Sequence, residues 1–166
     1  MKIIGIDPGS RFLGIGLLER KAGKISHIHS EVIALKGTDL IDRMKQLWHG
    51  FEQFFIHSGI DNSAECCAAI EDGYLGNNIK SADVLSKIRG FSLAAMISRD
   101  IDVTAYSPRE IKKALTGSGS ADKSQIARMV STLLNIDTGK IRDDESDALA
   151  IAYCHALSLK NSMGFR

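Results

Sequence analysis

The sequence is poor in proline and contains no long hydrophobic run. Only 2 of its 166 residues are proline, which argues against a proline-rich linker between domains. No apolar stretch reaches the roughly 20 residues that a membrane-spanning helix needs. The opening MKIIGID is a short apolar stretch that ends on an acid, unlike a signal peptide. The last residues contain few apolar side chains that could pack into a core. We therefore expect a short tail over residues 159–166, after one cytoplasmic domain over residues 1–158.

Cysteine is also scarce. The three cysteines are the adjacent pair Cys66 and Cys67 and the isolated Cys154. No CxxC or CxxH spacing is present, so the pattern indicates no zinc site built on cysteine. Reduced thiols without disulfides are typical of a cytoplasmic protein.

An excess of one charge is missing from the whole chain but present in one segment. The formal net charge is +1, which lacks the basic excess typical of nucleic-acid-binding proteins. Residues 107–128, in contrast, hold five basic residues against two acidic ones, a local net charge of +3. Such a segment can bind phosphates or form a solvated basic face. Its basic residues are Arg109, Lys112, Lys113, Lys123 and Arg128.

Hydrophobic periodicity predicts strands and helices in an order typical of an α/β fold. The alternating pattern of strands recurs in five segments, residues 2–7, 12–20, 24–35, 66–71 and 101–107. Helical spacing recurs over residues 38–57 and 77–99, after the basic and glycine-serine-rich segment, and from near Asp144 onward. A meander followed by strand-helix alternation predicts a mixed five-stranded sheet flanked by helices.

Two predicted strands end on acids, and one predicted helix begins with acids. Asp7 ends the first strand and Glu71 ends the fourth. Sites in open α/β sheets form beyond the carboxyl ends of strands, so these two acids meet if their strands are neighbours. Asp144 and Asp147 have i,i+3 spacing and share one helix face. Each acid alone also fits a turn or a helix start.

Four carboxylates around one point favour a metal site. Clustered carboxylates repel one another unless a cation balances them. Oxygen ligands without histidine or cysteine favour Mg²⁺ or Mn²⁺ over zinc. Two such ions about 3.5–4 Å apart are the arrangement used for phosphodiester hydrolysis.

Four short motifs stand in the order and approximate spacing of one known family. They are GIDPGSRFLGIG, AIEDGYLGNN, GSGSADKSQ and DDESDALAIA. Together they resemble the RuvC-type Holliday junction resolvases over roughly residues 1–157. The resemblance implies an RNase H-like fold, a homodimer and metal-dependent nicking of two opposed strands of a four-way DNA junction, which leaves 5′-phosphates.

The resemblance also implies which acids bind the metal. Asp143 is an alternative to Asp144, but the DxxD frame favours Asp144. Asp72 ranks below Glu71 because it points to the opposite face of the strand. The family's catalytic acids, with two Mg²⁺ or Mn²⁺ ions implied, fall on Asp7, Glu71, Asp144 and Asp147.

Further positions match residues that contact DNA in the family. Tyr74 stands where the family has an aromatic that stacks on a base, although a tyrosine folded onto the core is the alternative. Lys112 and Lys123 match basic residues near the scissile phosphate, and Lys123 is expected to take part in catalysis. Arg109 and Lys113 are expected to contact the DNA backbone, with a solvated basic face as the alternative.

Other functions compete with junction resolution. An RNase H-like nuclease can act on other branched DNA or on structured RNA. The stretch DPGSRFLG also resembles the first phosphate loop of actin-like ATPases, but that fold needs a duplicated domain and a longer chain. A catalytically dead DNA-binding module is disfavoured because all four acids are present. A branch-migration motor complex is a further candidate partner.

Three expectations concern other parts of the chain. His27 and His29 alternate onto one face of a strand with no third ligand in view, which argues against a metal site there. The helix predicted over residues 77–99 is expected to form the dimer contact. Gly14 and Gly16 are expected to let the second strand pass closely by its neighbours.

Overall fold

The computed structural model describes residues 1–37, 39–60, 66–73 and 79–162. Within these ranges no helix is long and apolar enough to cross a membrane. A short 3-10 turn lies at Thr138–Lys140. The strands and helices, in chain order, are β1 (Lys2–Pro8), β2 (Phe12–Lys21), β3 (Lys24–Ala34), α1 (Leu40–Ser58), β4 (Cys66–Glu71), α2 (Ile79–Ile97), β5 (Asp102–Tyr106), α3 (Pro108–Thr116), α4 (Lys123–Leu134) and α5 (Asp143–Ser162).

The five strands form one mixed sheet in the order β3-β2-β1-β4-β5. β1, β2 and β3 are antiparallel neighbours, whereas β4 runs parallel to β1 and β5 runs parallel to β4. The β2–β3 hairpin turns at Ala22 and Gly23, whose φ angles of 50° and 80° are those of a type I′ β-turn. The predicted meander and the mixed five-stranded α/β sheet are confirmed.

The two faces of the sheet are covered by different helices. α1 and α2 cover one face, where large side chains such as Phe51 and Phe54 form a buried core. α5 crosses the other face, and α3 and α4 pack beside it. A Cβ atom on Gly5 would lie 2.0 Å from the carbonyl oxygen of Ala148, so β1 and α5 meet backbone to backbone.

The structure departs from the prediction at α3 and at the end of α5. We expected the basic segment to lead into a single helix, but it begins with a separate helix, α3. Ser107 and Glu110 form a capping box at its start, and Gly117 ends it in the left-handed conformation. α5 continues to Ser162, so residues 159–162 of the segment expected as a tail are helical. Residues 163–166 lie outside the described ranges.

β3 contains a bulge that separates two histidines. Leu18 pairs with His27 and Leu17 pairs with His29, so Ile28 is an extra residue between the two pairs. His27 therefore lies on the face of Leu18, toward α5, and His29 lies on the face of Leu17, toward α1. The prediction that the two histidines share one strand face is wrong, because a bulge reverses the alternation.

Candidate active site

β1 and β4 bring two acids to one edge of the sheet. The strands are parallel neighbours whose last paired residues are Ile6 and Ile70, and Asp7 and Glu71 follow directly. Because side chains alternate along a strand, Asp7 points to the same face as Gly5, which α5 covers. Glu71 points the same way, since the neighbouring Ile70 packs into the core on the α1 side.

α5 adds two acids to this edge from its first turns. Asp144 and Asp147 lie on one face of the helix. At Gly14 of β2, a Cβ atom would lie 1.9 Å from the carbonyl oxygen of Asp144. Gly14 pairs with Asp7, so the missing side chain at Gly14 lets the start of α5 come beside Asp7. The close passage expected at Gly14 is confirmed, and Gly16 likewise faces Leu149 of α5.

The acids lie close enough to perturb one another's ionisation. Burial, followed by the charges of Asp147, Glu71 and Asp144, raises the pKa of Asp7 from 3.8 to about 7. Burial and then the charge of Asp147 raise the pKa of Glu71. Burial is also the main cause that raises the pKa of Asp147. Such a cluster is destabilising when fully ionised, unless a cation balances the negative charge.

Lys123 brings a positive charge to the acids from the first turn of α4. Its Nζ atom lies 3.1 Å from Asp147 Oδ2 and 3.3 Å from Asp143 Oδ2. Burial alone lowers the pKa of Lys123, but its hydrogen bonds to these two acids and their charges raise that pKa overall. Asp122 caps α4 by accepting a hydrogen bond from the backbone N–H of Gln125, which fixes the start of the helix.

An open cavity of about 290 Å³ lies between these groups. Its floor is apolar and comes from α3, α4 and α5. Lys112 faces Glu71 across it, and the positive charge of Lys112 offsets part of the rise in the pKa of Glu71. The polar residues that line the cavity are Glu71, Lys112, Lys123 and Asp147.

The other predicted DNA contacts lie away from the acids or outside the described residues. Arg109 and Lys113 are exposed on α3, one turn apart. The Arg109 side chain packs beside Gly119, where a Cβ atom would lie 2.6 Å from Arg109 Cγ. Tyr74 is not among the described residues. The structure therefore brings Lys112 and Lys123 to the acids and leaves Arg109 and Lys113 on the surface.

The structure distinguishes between neighbouring acids that the sequence left as alternatives. Asp72 Oδ1 lies 2.7 Å from Arg89 Nη1 on α2, on the side away from α5. The charge of Asp144 raises the pKa of Asp7. The side chain of Asp144 is 30% exposed, whereas that of Asp143 is 82% exposed. These contacts favour Asp144 over Asp143 as the acid that faces Asp7.

Two residues near the site, Arg142 and Ser30, make contacts that were not predicted. Arg142 Nη2 lies 3.5 Å from Asp144 Oδ2, and its guanidinium stands 4.1 Å over the ring of Phe12. Ser30 donates a hydrogen bond of 2.9 Å to Glu145 Oε2, which joins β3 to the first turn of α5. The sequence carries one signal for the contact of Arg142, because this basic residue stands directly before a helix that begins with acids. No local pattern marks Ser30.

The donor set fits a hard divalent cation. Each of the four candidate ligands is a carboxylate, and oxygen ligands of this kind are those that Mg²⁺ and Mn²⁺ prefer. A cation would favour the ionised form of Asp7, whose pKa burial and the neighbouring carboxylates raise. The residues present therefore match the metal expected from the sequence.

Known proteins resemble this chain in sequence and in fold. Residues 3–155 match the family described as Crossover junction endodeoxyribonuclease RuvC. The chain is 38% identical over 154 residues to a protein of that name from Acinetobacter baylyi, covering 93% of this chain and 82% of the relative. T. thermophilus RuvC in complex with Holliday junction substrate superposes with a TM-score of 0.85 at 27% identity, over 98% of this chain and 96% of that chain. A fowlpox virus Holliday junction resolvase shares the fold, with a TM-score of 0.56 at 14% identity over 98% of this chain and 99% of that chain.

Proposed function

This chain belongs to the RuvC family of crossover junction endodeoxyribonucleases, Holliday junction resolvases with an RNase H-like fold, and we propose that its cleavage depends on divalent metal. The observation that supports the proposal is the convergence of strand-end and helix-start acids on one sheet edge, where burial and then the charges of the other acids raise the pKa of Asp7 to about 7. Two Mg²⁺ or Mn²⁺ ions are the proposed cofactor. The proposed ligands are Asp7, Glu71, Asp144 and Asp147.

The four carboxylates would hold the ions, which would supply Lewis-acid activation of water and stabilisation of the leaving 3′ oxygen. The chain's own cations act on the phosphate. Lys123 is protonated at neutral pH, since the ordinary pKa of lysine is 10.5 and the two acids beside it raise that value further, so it can donate hydrogen bonds to a phosphate oxygen as negative charge develops. Lys112 lines the same cavity and is proposed to hold the scissile phosphate against the acids.

We place the DNA backbone along the outer face of α3. Arg109 and Lys113 are exposed one turn apart, and with Lys112 they continue the positive charge from the cavity to the surface. Contacts of this kind position the duplex and carry no sequence information. Tyr74 follows Glu71 by three residues in the sequence, and we propose that its ring stacks on a base at the opened centre of the junction.

We propose that α2 forms the contact of a homodimer. Among the described residues, no atom lies within 4 Å of where a Cβ atom on Gly90 would stand, so this face of α2 is open to a second chain. Ile97 is 66% exposed, and Trp48 of α1 is 43% exposed beside Phe91. Exposed apolar side chains on one surface mark protein interfaces. Sedimentation at micromolar concentration should give a dimer, and a monomer would contradict this proposal.

A cytoplasmic location is part of the proposal. Cys66, Cys67 and Cys154 are free thiols. Burial raises the pKa of Cys66 to about 12 and those of Cys67 and Cys154 to about 11, so the thiols stay protonated and unreactive. Reduced thiols of this kind are typical of the cytoplasm.

A comparison of substrates and metals tests the proposed reaction. With Mg²⁺ or Mn²⁺, the protein should cut a synthetic four-way junction into paired nicks with 5′-phosphates and leave plain duplex and RNA–DNA hybrid intact. Chelation of the metal should stop cleavage while gel shift still detects the bound junction. Cleavage that continues in a chelator contradicts metal dependence. Equal cleavage of plain duplex contradicts junction selectivity.

A further inference from the structure

We propose that His29, Glu31 and His57 form a second metal site, which binds a first-row transition-metal ion of the Zn²⁺ class. Two imidazole nitrogens and one carboxylate oxygen are a ligand set that zinc accepts. The site lies on the α1 face of the sheet, whereas Asp7 and Glu71 point to the α5 face. The proposal therefore concerns different residues and a different class of ion from the nuclease site, and it stands independently of the proposed nuclease mechanism.

The distances between the donor atoms suit one ion. Glu31 Oε2 lies 2.9 Å from His29 Nε2 and 3.8 Å from His57 Nδ1. One donor atom from each residue lies within 4.8 Å of the other two. Tetrahedral zinc with ligand bonds of about 2.0–2.1 Å separates its ligand atoms by roughly 3.3 Å. Small side-chain rotations therefore bring the three donors to coordinating distance.

The packing of α1 on β3 brings these three side chains close together. His29 and Glu31 are two residues apart in β3, beyond its bulge, and so share the face that α1 covers. His57 lies in the last turn of α1. The helix approaches β3 closely at Gly50, where a Cβ atom would lie 2.5 Å from Cγ2 of Ile33. Because Ile33 follows Glu31 by two residues, the same contact that seats the helix brings His57 over the strand.

A simple ion pair accounts for only part of this arrangement. An ion pair with Glu31 needs only one imidazole, that of His29. A second imidazole, that of His57, lies beside the same carboxylate, and the two ring centroids are 6.4 Å apart. The ring of buried Phe54 lies 6.1 Å from that of His29. No third ligand could be predicted from the sequence, because His57 belongs to α1, which is distant in the chain and comes close to His29 only through packing.

Solvent can reach the three donors. Side-chain exposure is 36% for His29, 26% for Glu31 and 56% for His57. An ion can thus enter from solvent and complete its coordination with water, as in zinc sites that have three protein ligands. An ion bound to the folded state joins the end of α1 to β3 and raises the stability of the protein.

Zinc titration of the chelator-treated full-length chain tests the proposal. Saturating Mg²⁺ is kept present to occupy the carboxylate site, and binding is followed by calorimetry and by the melting temperature. We expect one Zn²⁺ per chain outside the carboxylate site and a rise in melting temperature. His57→Ala should weaken this binding by at least about 10-fold. His49→Ala is the matched control, since His49 is an exposed histidine on the same helix.

Four outcomes would overturn the proposal. One is a parent protein that shows neither Zn²⁺ heat nor a rise in melting temperature. Another is His57→Ala that binds Zn²⁺ as the parent does. The third is binding that survives in His57→Ala and is lost in Asp7→Asn, which places the ion at the carboxylates. His29→Gln, with circular dichroism to confirm folding, provides a second variant. Retained parent affinity in a folded His29→Gln protein likewise contradicts the site.

Discussion

The two faces of the sheet meet their helices in different ways. On the α5 face, glycines of β1 and β2 let the strands touch the helix backbone, as at Gly5, where a Cβ atom would lie 2.0 Å from the carbonyl oxygen of Ala148. On the α1 face, a layer of large buried side chains such as Phe51 and Phe54 separates the helices from the strands. The four proposed metal ligands all belong to the α5 face.

This difference follows from what each face must do. Contact between backbones leaves a helix no freedom to shift, and misplacement of a catalytic group by about 1 Å can cost 10²-fold in rate. A layer of side chains tolerates small changes because neighbouring rotamers adjust. Gly14 illustrates the first arrangement, since its missing side chain places the start of α5 beside Asp7.

The two faces would not differ in function if an acid on the α5 face could be neutralised without loss of junction cleavage. Asp7→Asn should slow junction cleavage by roughly 10³-fold or more, because metal-site chemistry supplies several kcal/mol of transition-state stabilisation. Junction binding should persist, since the basic residues of α3 are unchanged. Asp72→Asn is the control, because Asp72 pairs with Arg89 on the opposite side. Single-turnover cleavage distinguishes the two, and equal losses contradict the assignment.

The charge of the acidic cluster should make the metal-free protein lose stability as pH rises. Folding raises the pKa of Asp7 from 3.8 to about 7, so the protonated form favours the folded state. That stabilisation is complete below the unfolded value and is lost as pH rises through about 7, at roughly 1.4 kcal/mol per pKa unit. Asp7→Asn should flatten this dependence. Melting temperatures of both proteins in a chelator between pH 4 and about 8 measure the difference, and identical curves contradict it.

Adding one methyl group to each face tests whether the two faces differ in their tolerance of a shift. Gly14→Ala places a Cβ atom 1.9 Å from the backbone oxygen of Asp144, so α5 must move and cleavage should fall by about 10²-fold. Gly50→Ala places a Cβ atom 2.5 Å from Cγ2 and 2.7 Å from Cγ1 of buried Ile33, so α1 or this side chain must shift, but the contact lies on the face away from the acids. Its cleavage rate should equal that of the parent. Single-turnover rates of both variants check this, and comparable losses would remove the distinction between the faces.

Sequence reasoning located the parts of the site that local patterns specify. Asp7 and Glu71 were predictable because each ends an apolar strand, and Asp147 because its i,i+3 spacing sets a helix face. The contact between Lys123 and Asp147 depends on how α4 packs against α5, and no spacing specifies that packing.

Features that depend on one irregular residue or on distant elements were missed. A single extra residue at Ile28 reverses the face of His29, and no composition signal marks a bulge of this kind. His57 approaches His29 only through the packing of α1 on β3. Helix α3 was missed although Ser107 and Glu110 carry a capping-box pattern, because its short basic sequence resembles a loop.

The smallest expected effect separates two adjacent lysines of α3. Lys113 is exposed away from the cavity, so Lys113→Ala should weaken junction binding about two- to three-fold and lower the salt slope of the dissociation constant by roughly 1. The cleavage rate of the bound junction should not change. Lys112 lines the cavity opposite Glu71, so Lys112→Ala should lower that rate. Salt titrations and single-turnover rates measure both effects. If Lys113→Ala slows cleavage of the bound junction, the catalytic region extends across α3 and is not confined to the cavity.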